Sequence, residues 1–182
     1  MAKTLLTPRQ LDFLQLVSQN KEIIDKFYWT GGTVLAEFYL KHRLSEDIDL
    51  FCEIQEVNQE LIETFLKKSM SLLGVRSIKR TQFLGLFSYH LIYNKNESLK
   101  IDFNYYPFER IQKGGKFKNI ECDSLYDIAV NKVHTIAMKP RSRDFIDIYF
   151  IVKEKGYTFS KMLADAKIKF DWHIDPIQLG SQ

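Results

Sequence analysis

The sequence predicts an α+β fold, a core of roughly 110 residues followed by a C-terminal helical segment. Three observations carry this. Helical and extended patterns alternate up to about residue 74. Three β-prone runs then follow one another between residues 75 and 105. From Ser124 onward the apolar spacing is helical almost throughout. The natural division is a core over residues 1–110 and a helical segment over residues 111–182.

Thr7-Pro8 reads as a helix cap and first helical residue, with Leu11, Leu14 and Val17 at helical spacing behind it. Phe27 to Thr30 is a short β-prone run that stops at Gly31-Gly32, and Thr33 to Lys41 returns to helical character. Asp47 to Glu53 alternates as a strand, with Ile48, Leu50 and Cys52 on one face and Asp47, Asp49 and Phe51 on the other. Asn58 caps a helix that ends near Gly74. Strands are expected over Val75–Arg80, Leu84–Tyr93 and Leu99–Tyr105, the last two joined by a turn at Asn94–Glu97. Lys113-Gly114-Gly115-Lys116 reads as a polar loop. Helices are expected over Ser124–Met138, Arg143–Lys155 and Thr158–Lys169.

The composition is that of a folded chain. It is 45% hydrophobic and 14% aromatic, which argues against disorder. No apolar run is long enough to span a membrane, and the first residues have the wrong order for an export signal, so a cytoplasmic protein is expected. Cys52 and Cys122 have no ligand-like spacing and read as buried reduced thiols. His42, His90, His134 and His173 are scattered, which leaves no zinc pattern. A net charge of +3 does not demand nucleic acid, although residues 132–143 form a local basic stretch.

The chemistry-bearing residues come in a fixed order. In a strand, Asp47 and Asp49 share a face about 6.6 Å apart along the chain. Two carboxylates so placed can reach a hard divalent cation, Mg2+ or Mn2+, from one side. Asp102, between Ile101 and Phe103, completes the set if its strand pairs next to the first. Three converging carboxylates repel one another, a conflict that bound metal resolves. Gly31 and Gly32 would let the backbone approach a phosphate at a helix start, with Thr33 adding a hydroxyl and Arg43 and Ser45 further donors to a triphosphate. Each piece has a bland reading: a solvated strand face, an ordinary turn, an edge charge. Their joint order, and charges forced into core-forming strands, favour a site.

Gly31-Gly32-Thr33-Val34-Leu35 followed by His42-Arg43-Leu44-Ser45-Glu46-Asp47-Ile48-Asp49-Leu50-Phe51 resembles the signature of the AbiEii/AbiGii-type nucleotidyltransferases. These belong to the polymerase-beta-like superfamily and include many toxins of toxin–antitoxin and abortive-infection systems. Asp127 to Lys132 and Arg141-Ser142-Arg143-Asp144-Phe145-Ile146-Asp147 resemble the family's later Lys and (Lys/Arg)-Asp-x-x-Asp motifs. The resemblance implies a mixed β-sheet flanked by helices, a nucleoside triphosphate with Mg2+ (or Mn2+), and transfer of a nucleoside monophosphate to an acceptor hydroxyl with release of pyrophosphate. By position it makes Asp47 and Asp49 metal ligands. Asp102 becomes a third ligand or the base for the acceptor, with Lys132 on the triphosphate and Asp144 a further active-site residue. The superfamily's Gly-Ser is Gly32-Thr33 here, which keeps the hydroxyl. The toxin branch implies tRNA as the favoured acceptor and a cognate antitoxin as partner.

Late aromatics such as Tyr105, Tyr106, Phe108 and Tyr126 read as core rather than a stacking platform. A kinase is excluded by the missing Gly-rich hairpin and strand lysine, and a P-loop by the missing motif. The remaining alternatives are a degenerate nucleotidyltransferase fold serving as a binding module, or transfer to a protein or small molecule.

Overall fold

The computed structural model describes residues 4–83, 85–172 and 180. The expected strand start at Leu84 and one histidine, His173, lie outside these residues. Local signals act where expected. Thr7 and Gln10 form a reciprocal capping box at the start of α1 (Pro8–Gln19). The Asn58 side chain accepts from Leu61 N to start α4 (Gln59–Leu73), which Gly74 ends. The short helix α2 (Lys21–Ile24), capped by Asn20, was not expected; at one turn it leaves no apolar period to read.

Among the described residues, seven strands form one mixed sheet in the order β3-β4-β5-β2-β1-β7-β6. They are β1 (Tyr28–Thr30), β2 (Ile48–Cys52), β3 (Ser77–Phe83), β4 (Leu86–Asn94), β5 (Glu97–Tyr105), β6 (Lys113–Phe117) and β7 (Ile120–Asp123). β2 runs antiparallel to β1 and parallel to β5. Ile48, Leu50 and Cys52 on β2, and Ile101 and Phe103 on β5, are buried in the core. The pleat therefore turns Asp49 and Asp102 to the opposite face.

The segment expected as a polar loop at Lys113–Lys116 is instead β6, paired with β7, which itself lies parallel to β1. An edge strand of two lysines, two glycines and a single phenylalanine, interrupted by a register shift, has no apolar alternation to announce it. The sheet thus runs past residue 110 to Asp123, and the helical segment begins at α5 (Leu125–Met138), followed by α6 (Ser142–Lys155) and α7 (Phe159–Phe170). The helix after β1 begins at the glycines themselves, α3 (Gly31–Val34), and widens into a π-helical turn, Leu35–Leu40.

One buried ionic joint fixes α5 and α6 to the loop before β2. The fully buried Asp147 of α6 accepts from Arg43 Nε and Nη2 at 2.7 and 2.8 Å. It also meets His42 Nε2 at 2.6 Å and Lys132 Nζ of α5 at 2.6 Å. Burial would raise its pKa, but the hydrogen bonds from Arg43 and His42 and the charge of Lys132 outweigh that and hold it well below the usual carboxylate range. A depressed carboxylate contributes stability that is complete above its unfolded value, near pH 4, and is lost as the pH falls through and below it. Removing one partner of such a joint costs about 3–5 kcal/mol. Asp147→Asn should therefore lower the unfolding free energy at pH 7 by about that amount, with the gap to wild type narrowing below about pH 4. Urea titrations across that range measure it.

Candidate active site

The register places the aspartates. Asp49 is the Cα partner of Thr30 on β1 and of Asp102 on β5. Neighbours abreast in a parallel pair project to the same face, and Asp47, two residues before Asp49, joins them there. Gln10 braces the approach to this strand: its amide donates to the carbonyls of Ser45 and Glu46 at 2.9 and 3.1 Å. Above the carboxylates, α5 completes a cleft of about 180 Å³ lined by Gly31, Gly32, Arg43, Ser45, Asp47, Asp49, Lys100, Asp102, Lys132, Arg143 and Asp144, among others.

Burial, with the charges of Asp102 and Asp47 behind it, pushes the Asp49 carboxyl up to about 7. The structure adds a counter-charge that sequence reasoning did not supply. Lys100, on the same strand face as Asp102, donates from Nζ to Asp102 Oδ2 and stands 3.7 Å from Asp47 Oδ2. Arg143 Nη2 also lies 3.7 Å from Asp47. Ser88 on β4 donates to the other oxygen of Asp102. Among the described residues, no group of three or more His, Cys, Asp or Glu side chains is arranged to hold a metal ion as it stands. The carboxylates share one face and one row, and Asp102 has both oxygens engaged by protein donors.

The glycines are required by space. Gly31 has φ +81°, and a Cβ there would fall 2.1 Å from Asp49 Oδ2. A Cβ on Gly32 would come within 2.6 Å of Arg43 Nη2 and 3.1 Å of Ser45 Oγ. The backbone at this turn therefore lies directly against the acidic and basic side chains. Thr33 does not line the cleft. Its buried hydroxyl donates to the backbone carbonyl of Asp47 and lies 2.9 Å from Ser45 Oγ, so it ties the helix to the acidic strand.

Lys132 and Arg43 face the cleft while anchored from behind. Lys132 Nζ is 2.8 Å from Asp144 and 2.6 Å from Asp147, and Arg43 forms its two-pronged bond to Asp147. Asp144 also accepts from Arg141 at 3.1 Å. Burial would raise the Asp144 pKa, but the nearby Lys132 charge and the bonds from Lys132 and Arg141 hold it lower than usual. In this arrangement Asp144 and Asp147 orient cations rather than pointing at the carboxylate row. The spacing Asp144-x-x-Asp147 was a readable signal for a shared helix face. Lys100-x-Asp102 on one strand face was another. Tyr106, read as core, is half-buried and lines the cleft beside Phe51, ring centroids 4.8 Å apart.

The two cysteines are buried and unpaired. Among the described residues no helix is long and apolar enough to cross a membrane.

The family model described as "Nucleotidyl transferase AbiEii toxin, Type IV TA system" matches residues 15–181. Among curated protein sequences none matches the chain. Among solved structures, JHP933 from Helicobacter pylori is similar at 19% identity and a TM-score of 0.56, over 97% of this chain and 90% of that one. The Megavirus polyadenylate synthase is similar at 13% identity and a TM-score of 0.52, over 80% of this chain but only 30% of its own length. At these identities the structural likeness is one of fold. The family match, by contrast, runs over nearly the whole chain, and the chain therefore belongs to the AbiEii nucleotidyltransferase toxin family and is a nucleotidyltransferase.

Proposed function

We propose that the chain moves a nucleoside monophosphate from a nucleoside triphosphate to a hydroxyl at the 3′ end of tRNA, as a toxin with a cognate antitoxin, using Mg2+ or Mn2+ held by Asp47, Asp49 and Asp102. The observation that carries the metal-site reading is the register: Asp49 and Asp102 stand abreast on parallel strands, with Asp47 on the same face. These are hard oxygen donors, and a divalent cation would favour the ionised form of Asp49, whose pKa is raised first by burial and then by the charges of Asp102 and Asp47. A bound divalent cation would supply Lewis-acid stabilisation of the attacking and leaving oxygens.

The chain's own groups supply the rest. The acceptor oxygen forms a bond to the α-phosphorus as the α–β bridging P–O bond breaks, and pyrophosphate leaves. In its alternative role as base, Asp102 takes the acceptor's proton once its present partners are exchanged. Arg43 and Lys132 bring positive charge to the triphosphate from fixed positions, since Asp147 holds both from behind. The glycine turn makes room for the Asp49 carboxylate and the Arg43 guanidinium to sit against the backbone at the cleft. Arg141 and Arg143 line the same cleft with side chains 54% and 42% exposed, which suits a polyanionic acceptor. The antitoxin follows from the Type IV toxin–antitoxin description of the family.

Mn2+ with nucleoside triphosphate should stabilise the protein by about 2.7 kcal/mol at a hundredfold excess over Kd. Asp47→Asn with Asp49→Asn should abolish that gain in thermal unfolding and lower transfer of labelled nucleotide to total RNA by at least about a hundredfold. Undiminished stabilisation in the double variant contradicts the metal site. Label transferred to protein or small acceptors, with none on RNA, replaces the acceptor. Gly31→Ala, which forces a side chain against Asp49, should cost about 1–2 kcal/mol of stability from the positive φ alone. Its loss of transfer should exceed what that destabilisation explains, as measured on the folded variant.

A further inference from the structure

The cleft contains a cation of its own. In the Lys100-Ile101-Asp102 segment of β5, residues 100 and 102 point to one face, and the Lys100 ammonium bonds Asp102 while lying 3.7 Å from Asp47. It therefore sits between two members of the acidic row. With Ser88 on the remaining oxygen of Asp102, both oxygens of that carboxylate are already occupied. This coincides with a second observation: the backbone sets the acidic residues abreast, yet among the described residues no three ligating side chains are gathered for a metal. Like charges this close need a counter-ion for the fold to tolerate them, and here a lysine provides one.

We propose that Lys100 is a built-in cation that holds the acidic row together before metal arrives, and that a divalent metal must displace it from Asp102 to bind. Lys100 is thus a positioning residue that sets metal affinity. The inference rests on the metal-site reading above. It differs from a role for Lys100 on the triphosphate, where its loss would weaken nucleotide binding and leave metal binding unchanged.

The test is Mn2+ binding without nucleotide, read by electron paramagnetic resonance of free Mn2+, alongside thermal unfolding in chelator. Lys100→Met should bind Mn2+ at least about tenfold more tightly than wild type, because the competing charge is gone, while its metal-free form melts lower. If Lys100→Met does not fold without metal, Lys100→Gln is read in the same way. Wild type that binds Mn2+ with a variant that binds no more tightly overturns the role of Lys100 and leaves the metal site standing. No Mn2+ binding by either protein overturns the metal site itself, and this inference with it.

Discussion

Two aspartates stand abreast on neighbouring parallel strands, and the polar architecture of this protein is arranged around that placement. The pairing of Asp49 with Asp102 follows from the β2–β5 register, which the core fixes through Ile48, Leu50, Ile101 and Phe103 on the opposite face. A slip by one residue would bury both carboxylates and expose the core. The register thus sets like charges side by side, and burial, with those acidic neighbours behind it, pushes the Asp49 carboxyl up to about 7. Lys100, Ser88 and Arg143 answer it from β5, β4 and α6.

A second cluster faces the first with the charges reversed. Arg43 and Lys132 converge on Asp147, and Lys132 and Arg141 on Asp144, all where α5 and α6 meet the loop before β2. Buried carboxylates here fix cations in place, as acidic groups on the sheet would fix metal. One joint therefore docks the C-terminal helices and holds two cations at the cleft, and in the proposed function it would present them to a triphosphate without a search through rotamers. This arrangement is consistent with a transferase whose helices come from beyond the sheet but whose carboxylates come from within it.

Much of this was legible in the sequence where the signal is local. Thr7, Asn58 and Gly74 mark helix ends through their own side chains or backbone freedom, and the alternation of β2 separates Asp47 and Asp49 from the core. The apolar bracket of Asp102 told which way it faces. What was not legible is long-range or weakly patterned. Strand order is set by contacts distant in sequence, so the parallel pairing of β2 with β5 was a wager on the fold. The β6–β7 hairpin hid in a lysine–glycine run. Lys100 carries no signal of its own, and the motif that contains Asp147 does not name its partners: a lysine on a strand and an acid on a helix are ordinary until the fold brings Asp102 or Arg43 beside them.

The most direct measurement is the anomalous scattering of Mn2+ in crystals soaked with a non-hydrolysable nucleoside triphosphate. The account predicts a peak within roughly 2.0–2.3 Å of carboxylate oxygens from both Asp49 and Asp102, bridging the two strands. A peak that touches neither, or none at all in crystals whose cleft holds the nucleotide, would contradict it.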